Sequence, residues 1–358
     1  MRHLSGIVMH DYPELDRALA DMQTQSELYR PTLFWDEACA RIVTELRTFG
    51  VENFRSLQNA LGFFVPTYGS PGSGFPLEQC SVLLEALRSE FPQAKKSRLA
   101  LEQYLGGHFS AQADYRVLLA ADDTSRLPSL HTFTESKVGK PLEQFEFDGR
   151  HYSRSSLNYL LGLALLKKHL GADVPRVVLE IGGGFGSLGE VLHSAGIQGL
   201  QYIDIDIPPT SFVAQHYLGQ VLGKENVSSY AQTADQASIA IDMLCPSAVL
   251  CSWQIEKLQG KVDLFVNFIS FQEMEPHIVK NYLGHVNRLG ARWVLLRNMR
   301  EGKQLRKNDW VGVETPILGN DYLDMLPGYE LLERNVLPFG YRTVDGYHSE
   351  LLLLRRKV

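Results

Sequence analysis

The sequence predicts an α/β fold, in which a mainly parallel sheet with helices on both faces follows a helical N-terminal part. Two observations lead to this prediction. From Ser155 onward, short apolar runs alternate with segments of helical periodicity, which is typical of strands joined by crossover helices. A glycine-rich turn then follows the first apolar run, at 182–186. We therefore expect two domains in the 358 residues: a mostly helical N-terminal domain with a linker at 1–150, and a sheet domain at 151–358.

Residues 1 to about 120 show the periodicity of helices. Apolar side chains recur there every three or four positions, which places them on one face of a helix. These side chains include Ala38, Ile42, Val43, Leu46, Leu83, Leu84, Leu87 and Phe91. A loop rich in Gly, Pro and Ser is expected at 63–74, and the polar segment 122–150 is expected to be an irregular linker.

The sheet domain is expected to begin with a helix that contains Leu157 and Leu166 and ends near Gly171. Strands and helices then alternate, as expected for parallel strands. The predicted strands span 177–181, 200–207, 248–251, 262–268 and 293–297, and the predicted helices span 187–195, 211–222 and 276–289. Two last strands, near 330–336 and 349–354, are expected to pair as an antiparallel hairpin at one sheet edge.

The composition argues against several classes of protein and of site. The formal net charge of -6 argues against a broad nucleic-acid binding surface, because such a surface needs a basic face. No signal peptide is visible, and no apolar run reaches the ~18 residues of a membrane-spanning helix, so we expect a cytoplasmic protein without a membrane partner. The four cysteines have no C-x-x-C spacing and no metal motif is visible, so neither a metal site nor a disulfide framework is predicted.

The glycine-rich turn fits two kinds of ligand site. Gly182, Gly184 and Gly186 have the G-x-G-x-G spacing of methyltransferases, whereas Gly184, Gly186 and Gly189 have the G-x-G-x-x-G spacing of dinucleotide sites. In either register, small residues let a ligand approach the backbone closely. The spacing alone does not choose between the two, and a turn built only for tight packing is the remaining alternative.

Acidic residues at two strand ends favour one of these ligands. The carboxylate of Glu180 would repel a pyrophosphate but attract the ammonium and sulfonium groups of S-adenosylmethionine (SAM), by about 1–4 kcal/mol for a unit pair at ~4 Å. Gly182 also comes at the strand end, whereas the dinucleotide register would put its turn two residues later. Asp204 and Asp206 end the second strand, where a carboxylate accepts hydrogen bonds from the ribose of either ligand. Asp206 is the stronger candidate because it lies at the tip. We therefore predict SAM as the cofactor.

These motifs resemble those of the sugar O-methyltransferases of bacterial natural-product and polysaccharide pathways. The resemblance rests on the Glu-Ile-Gly-Gly-Gly-x-Gly turn at 180–186, the Asp-Ile-Pro strand end at 206–208 and the Ser-Phe-Gln-Glu-Met stretch at 270–274. It extends to 29–35, 52–56 and 209–218. The resemblance implies the Rossmann-like fold of class I SAM-dependent methyltransferases and a sugar-containing small molecule as the methyl acceptor. It also implies a helical N-terminal part that covers the site or builds a homodimer.

Further candidate residues follow the later strands of the sheet. Trp253 is expected to stack on adenine and Gln254 to hydrogen-bond it, with core packing as the alternative for Trp253. Asn267 reaches the carboxyl edge of the sheet and is expected to bind the cofactor. Glu273 and His277 are the candidates for the base that removes a proton from the acceptor hydroxyl. The alternative for both is an ordinary residue at the start of a helix, with the Glu273 charge favoured by the helix dipole.

Three functions remain open at this point. The resemblance favours a SAM-dependent O-methyltransferase that acts on a hydroxyl of a sugar or a glycosylated small molecule. The second glycine register would fit an NAD(P)-dependent oxidoreductase instead. A catalytically inactive, methyltransferase-like assembly partner is the third alternative, because nothing in the sequence proves a competent base.

Overall fold

The computed structural model describes residues 9–64, 77–171, 173–307, 311–343 and 345–357. The predicted loop at 63–74 therefore lies largely outside the described residues, and its first two residues, Phe63 and Phe64, end a helix.

The helices in chain order are α1 (Pro13–Gln23), α2 (Leu33–Phe49), α3 (Gln58–Phe64), α4 (Leu77–Glu90), α5 (Lys95–Leu105), α6 (His108–Ala121), α7 (Arg154–His169), α8 (Ser187–Ser194), α9 (Thr210–Leu222), α10 (Tyr230–Thr233), α11 (Pro276–Arg288) and α12 (Asp321–Asp324). Within the described ranges, none of them has both the length and the hydropathy of a membrane-crossing helix.

The strands in chain order are β1 (Gln144–Phe147), β2 (Arg150–Ser153), β3 (Val177–Ile181), β4 (Gln201–Asp206), β5 (Val227–Ser228), β6 (Ile239–Ala240), β7 (Ser247–Cys251), β8 (Leu258–Gln259), β9 (Leu264–Phe268), β10 (Trp293–Met299), β11 (Tyr329–Asn335), β12 (Tyr341–Arg342) and β13 (His348–Arg356). The strands that the sequence predicts in the sheet domain agree with these bounds to within two residues.

The largest sheet has the strand order β11–β13–β10–β9–β3–β4–β7–β5, with β12 paired to β13. The strands from β10 to β5 in this order are parallel. β13 runs antiparallel to both β10 and β11, so it lies inside the sheet and β11 forms the edge. The predicted antiparallel pair at the end of the chain is therefore confirmed.

Helices cover both faces of this sheet, as predicted. Successive side chains of a strand point to opposite faces. Val178 accordingly packs in one hydrophobic cluster and Leu179 in the other. The first cluster includes Leu160 of α7, Leu188 of α8 and Val213 of α9, and the second includes Val279 and Leu283 of α11. This arrangement confirms the Rossmann-like class I methyltransferase fold that the sequence motifs imply.

The prediction of an irregular linker at 122–150 is wrong for the last residues of this segment. β1 and β2 form an antiparallel hairpin there, joined by Asp148 and Gly149. Both turn residues have positive φ, 49° and 73°. An Asp-Gly pair is a strong hairpin signal, because both residues readily adopt the left-handed backbone of a tight two-residue turn. The sequence therefore carried this information.

The N-terminal helices and the sheet share one hydrophobic cluster. The ring of Phe54 lies 5.5 Å from that of Phe185, which belongs to the glycine-rich turn. The neighbouring Arg55 is fully buried and pairs with Glu143 at 2.6 Å and with Glu135 at 3.2 Å. Opposite charges compensate each other here, as a buried charge requires. These contacts fix the N-terminal helices over the carboxyl edge of the sheet.

Candidate functional site

A cavity of about 330 Å³ lies at the carboxyl ends of β3, β4 and β9, which is where ligands bind in open α/β sheets. The sheet contributes the lining segments 181–185, 205–207 and 268–270. The N-terminal part contributes 30–32, 34–35 and 62–64, which cover the cavity from the opposite side. The cavity therefore lies between the two halves of the chain.

The glycine-rich turn has a backbone that other residues rarely adopt. Gly182, Gly184 and Gly186 have φ values of 72°, 66° and 90°. A Cβ atom on Gly182 would meet Ser270 Oγ at 2.1 Å, whereas a Cβ on Gly184 would meet no atom of the described residues within 4 Å. Gly189 has no positive φ, and its added Cβ would meet the Tyr202 ring at 2.7 Å. The residues of the G-x-G-x-G register thus form the turn, and Gly189 serves helix packing.

Glu180 and Asp204 lie beneath this turn and do not line the cavity. They are opposite each other in the β3–β4 register, and both are fully buried. Tyr202 Oη donates to Glu180 Oε2 at 2.5 Å, and the Gly183 amide donates to Asp204 Oδ1 at 3.2 Å. Burial raises the pKa of Glu180 to about 7 and that of Asp204 well above its usual range. Glu180 is therefore not part of the cavity wall, where its predicted contact with the ligand would have to be made. Its side chain supports the turn from below.

Asp206 is the acidic residue at a strand end that lines the cavity. Its Oδ2 accepts a hydrogen bond from the Gly184 amide at 3.1 Å, and its Oδ1 accepts one from the Ile207 amide at 2.7 Å. Burial raises the pKa of Asp206 to about 7. The preference for Asp206 over Asp204 thus agrees with the geometry, and the carboxylate and the open glycine face one space.

Trp253 and Gln254 do not line the cavity, contrary to expectation. The chain enters a 3-10 helix at Ser252 directly after β7, and this turn brings Ser252 to the cavity instead. Trp253 is buried and packs edge-on against the Tyr230 ring at 5.9 Å. Gln254 accepts from the Cys251 amide at 2.8 Å and donates to a threonine hydroxyl at 3.0 Å. Both side chains therefore stabilise the strand end.

Asn267 is also buried away from the cavity. Its Nδ2 donates to the Ile181 carbonyl at 2.9 Å and to Ser270 Oγ at 2.6 Å, so it ties β9 to β3. Ile269, which does line the cavity, has a φ of 79°. A β-branched residue rarely adopts this backbone. The sharp turn places Ser270 against Gly182, and Asn267 has a positioning contact where a cofactor contact was expected.

The two candidate bases lie in different surroundings. Glu273 lines the cavity, and its carboxylate accepts from Trp35 Nε1 at 3.0 Å and from Lys303 Nζ at 3.1 Å. His277 lies in the first turn of α11, is exposed and does not line the cavity. The helix begins at Pro276 and turns His277 outward, so the prediction of His277 as a base is wrong on geometry. Glu273 is the candidate that remains.

The sequence reasoning missed several residues of the cavity. Phe34, Trp35 and Phe63 form an aromatic wall, with ring centroids 5.7–6.1 Å apart. Asn158 Nδ2 and Ser187 Oγ are buried without a hydrogen-bond partner among the described residues, and both residues line the cavity. The segment 29–35 was part of the resemblance, which implied an N-terminal part that covers the site or builds a homodimer, but its pattern did not indicate which of its side chains face the cavity.

Comparisons with known proteins give structural neighbours only. No protein-family model matches the chain, and no curated protein matches it in sequence. A magnesium protoporphyrin IX methyltransferase from Synechocystis PCC 6803 with bound SAM is 16% identical, with a TM-score of 0.38, over 57% of this chain and 81% of its own. A mitomycin 7-O-methyltransferase is 14% identical, with a TM-score of 0.37, over 100% of this chain and 76% of its own.

A third structure is the 1,6-didemethyltoxoflavin-N1-methyltransferase from Burkholderia thailandensis, with bound 1,6-didemethyltoxoflavin and S-adenosylhomocysteine. It is 17% identical, with a TM-score of 0.39, over 56% of this chain and 79% of its own. Similarity at this level carries no argument about cofactor, acceptor or reaction. The strand order establishes the fold, and the residues of the cavity are the features that bear on the function.

Proposed function

We propose that this protein is a SAM-dependent O-methyltransferase that acts on a hydroxyl of a sugar or a glycosylated small molecule. One observation carries the proposal: the open backbone at Gly184 and the carboxylate of Asp206 face a single cavity that also contains Glu273. A site for an adenosine ligand and a candidate base are therefore within the same covered space.

The residues of the cavity fit SAM. Asp206 is placed to accept hydrogen bonds from the ribose hydroxyls, as expected for an acid at the tip of the second strand. Gly184 leaves room for close approach to the backbone, because a Cβ there would have no neighbour within 4 Å in the described ranges. Asn158 Nδ2 and Ser187 Oγ are buried polar atoms that find no partner in the part of the chain that the structure describes, and a polar ligand would satisfy them. When bound, SAM supplies a methyl group activated by the sulfonium.

The opposite side of the cavity fits a small-molecule acceptor. A sugar hydroxyl is a poor nucleophile, and a positioned base that takes its proton accelerates the reaction typically 10²–10⁴-fold. Glu273 is the proposed base. The aromatic wall of Phe34, Trp35 and Phe63 offers ring faces to the apolar side of the acceptor.

The proposal is tested in two steps. Calorimetry with S-adenosylhomocysteine and, separately, with NADH distinguishes the two glycine registers. We expect binding of S-adenosylhomocysteine alone, and binding of NADH alone would favour the oxidoreductase. The purified protein is then incubated with labelled SAM and extracts of the source organism. A labelled glycoside supports the proposal, whereas binding without any labelled product would favour the inactive assembly partner.

The N-terminal part is proposed to have two roles, covering the cavity and forming a homodimer. Helices α4 and α5 and the turn between them expose apolar side chains that a second copy would cover: Val82 is 70% exposed, Phe91 59% and Leu99 54%. We expect a dimer in sedimentation equilibrium, and we expect the pair Val82→Asp and Phe91→Asp to make it monomeric. Leu337→Asp is the matched control, because Leu337 is 71% exposed on the opposite part of the chain. A wild-type monomer would contradict this expectation.

A further inference from the structure

The carboxylate of Glu273 lies between two donors from distant parts of the chain. Trp35 Nε1, on α2, donates to Oε2 at 3.0 Å, and Lys303 Nζ, in the segment after β10, donates to Oε1 at 3.1 Å. The Lys303 ammonium also lies 5.5 Å from the centre of the Phe34 ring. Both donors line the cavity together with Glu273. Contacts at both oxygens fix the plane of the carboxylate.

Helix α2 and its N-cap residue contact the chain near both proposed functional carboxylates, Asp206 and Glu273. Thr32, its N-cap residue, donates from Oγ1 to the Glu273 carbonyl at 3.5 Å, which adds a second contact beside that of Trp35. One turn of the helix after Trp35, Cys39 Sγ donates to the Pro208 carbonyl at 3.3 Å. Pro208 follows Asp206 by two residues. The same helix therefore contacts the segment that carries the proposed ribose ligand and the turn that carries the proposed base.

The two donors leave the carboxylate able to act. An ionised carboxylate has about four lone-pair sites, and the two observed hydrogen bonds use two of them. The remaining sites can accept the proton of an acceptor hydroxyl. The neighbouring Glu275 does not compete for these donors, because its two oxygens accept from the Glu314 and Thr315 amides at 2.8 and 3.0 Å.

We propose that Trp35 and Lys303 are positioning residues for Glu273, so that the base is oriented only while α2 is docked over the cavity. This inference rests on the proposed function. Neither residue touches the reacting atoms in this role; each acts by fixing the direction of the carboxylate. A misplacement of about 1 Å in a reacting group costs on the order of 10²-fold in rate, which sets the scale of the expected effect.

The first test measures methyl transfer by single variants. It uses the acceptor that the labelling experiment with SAM identifies. Trp35→Phe keeps an aromatic ring and removes the N–H donor, and Lys303→Met removes the charge. We expect each to lower kcat about 10- to 100-fold, while the KM for SAM and the affinity for S-adenosylhomocysteine stay within about twofold. Lys303→Arg should restore most of the rate. Trp293→Phe makes the same chemical change on β10, far from the cavity, and should keep the wild-type kcat.

The second test needs no acceptor. The chain has four tryptophans, so its indole N–H groups give a simple ¹⁵N spectrum. The resonance of Trp35 is the one lost in Trp35→Phe, and we expect Glu273→Gln and Lys303→Met to shift it. Glu37→Gln is the control, because Glu37 lies on the same helix and pairs with Arg41 in solvent.

The outcomes separate the inference from the function on which it rests. A Trp35→Phe protein that binds S-adenosylhomocysteine and turns over at the wild-type rate would show that Trp35 does not position the base, and the proposed function would stand. A Trp35 resonance whose chemical shift is the same in wild type and in Glu273→Gln would have the same meaning. A wild-type protein that binds no S-adenosylhomocysteine would overturn both.

Discussion

At the scale of single residues, Gly184 combines a left-handed backbone with open space above it. An alanine there costs on the order of 1–2 kcal/mol of backbone strain, and its methyl group would project into the cavity. We expect Gly184→Ala to lower the affinity for S-adenosylhomocysteine at least tenfold, measured by calorimetry.

A matched control separates the strain from the loss of space. Gly149, in the β1–β2 turn, has a φ of 73°, and an added Cβ there would also lie more than 4 Å from every described neighbour. Gly149→Ala should lower the melting temperature about as much as Gly184→Ala and leave the affinity unchanged. Equal affinities in the two variants would mean that no ligand approaches Gly184.

The residues whose place at the cavity could be predicted from the sequence are those fixed by a glycine backbone or by the end of a strand. Gly182, Gly184 and Asp206 belong to this class, because glycine spacing and the end of a strand are visible in the chain. Trp253 and His277 were placed wrongly, because a single turn of helix after the strand end decides which side chain faces the cavity. Spacing along the chain does not record that turn.

At the scale of elements, β3 and β4 bring two carboxyl groups together under the glycine-rich turn. Glu180 and Asp204 are paired in register, and burial raises the pKa of both. An unfolded glutamate loses its proton above about pH 4.3, whereas folded Glu180 keeps it up to about pH 7. The folded state therefore binds more protons than the unfolded state between these two pH values. As the pH rises through this window, the free energy of unfolding falls relative to that of a variant with a neutral side chain at this position.

We expect this contribution to be visible in Glu180→Gln. The difference in melting temperature, variant minus wild type, should increase between pH 5 and pH 7 and level off above that, as measured by calorimetry across the range. Glu330→Gln is the control, because Glu330 forms an exposed pair with Arg355. A difference that is constant with pH, or that falls, would mean that Glu180 is ionised throughout.

At the scale of the whole molecule, the two predicted domains share a core. Phe54, Leu118 and Phe133 are fully or almost fully buried in the cluster that also contains Leu160 and Leu188. Burying each large apolar side chain contributes about 1.5–3 kcal/mol, so the shared contacts are comparable with a typical total stability of ~5–15 kcal/mol. The N-terminal helices are therefore part of what stabilises the sheet.

We expect the fragment 151–358 not to fold alone. Circular dichroism during heating should show no cooperative transition, because the fragment leaves one face of α7 and α8 without its partners. The full chain is the control. A fragment that melts cooperatively and binds S-adenosylhomocysteine would establish 151–358 as an independent domain.

The interior place of β13 has a consequence for folding of the protein. β10 pairs with β9 on one side and with β13 on the other, and most of β10 is apolar and buried. A folding intermediate in which β13 has not yet docked therefore presents β10 as an open strand edge, which is a template for aggregation. The segment 348–356 closes that edge, so slow docking of this segment would prolong the period in which the chain can aggregate.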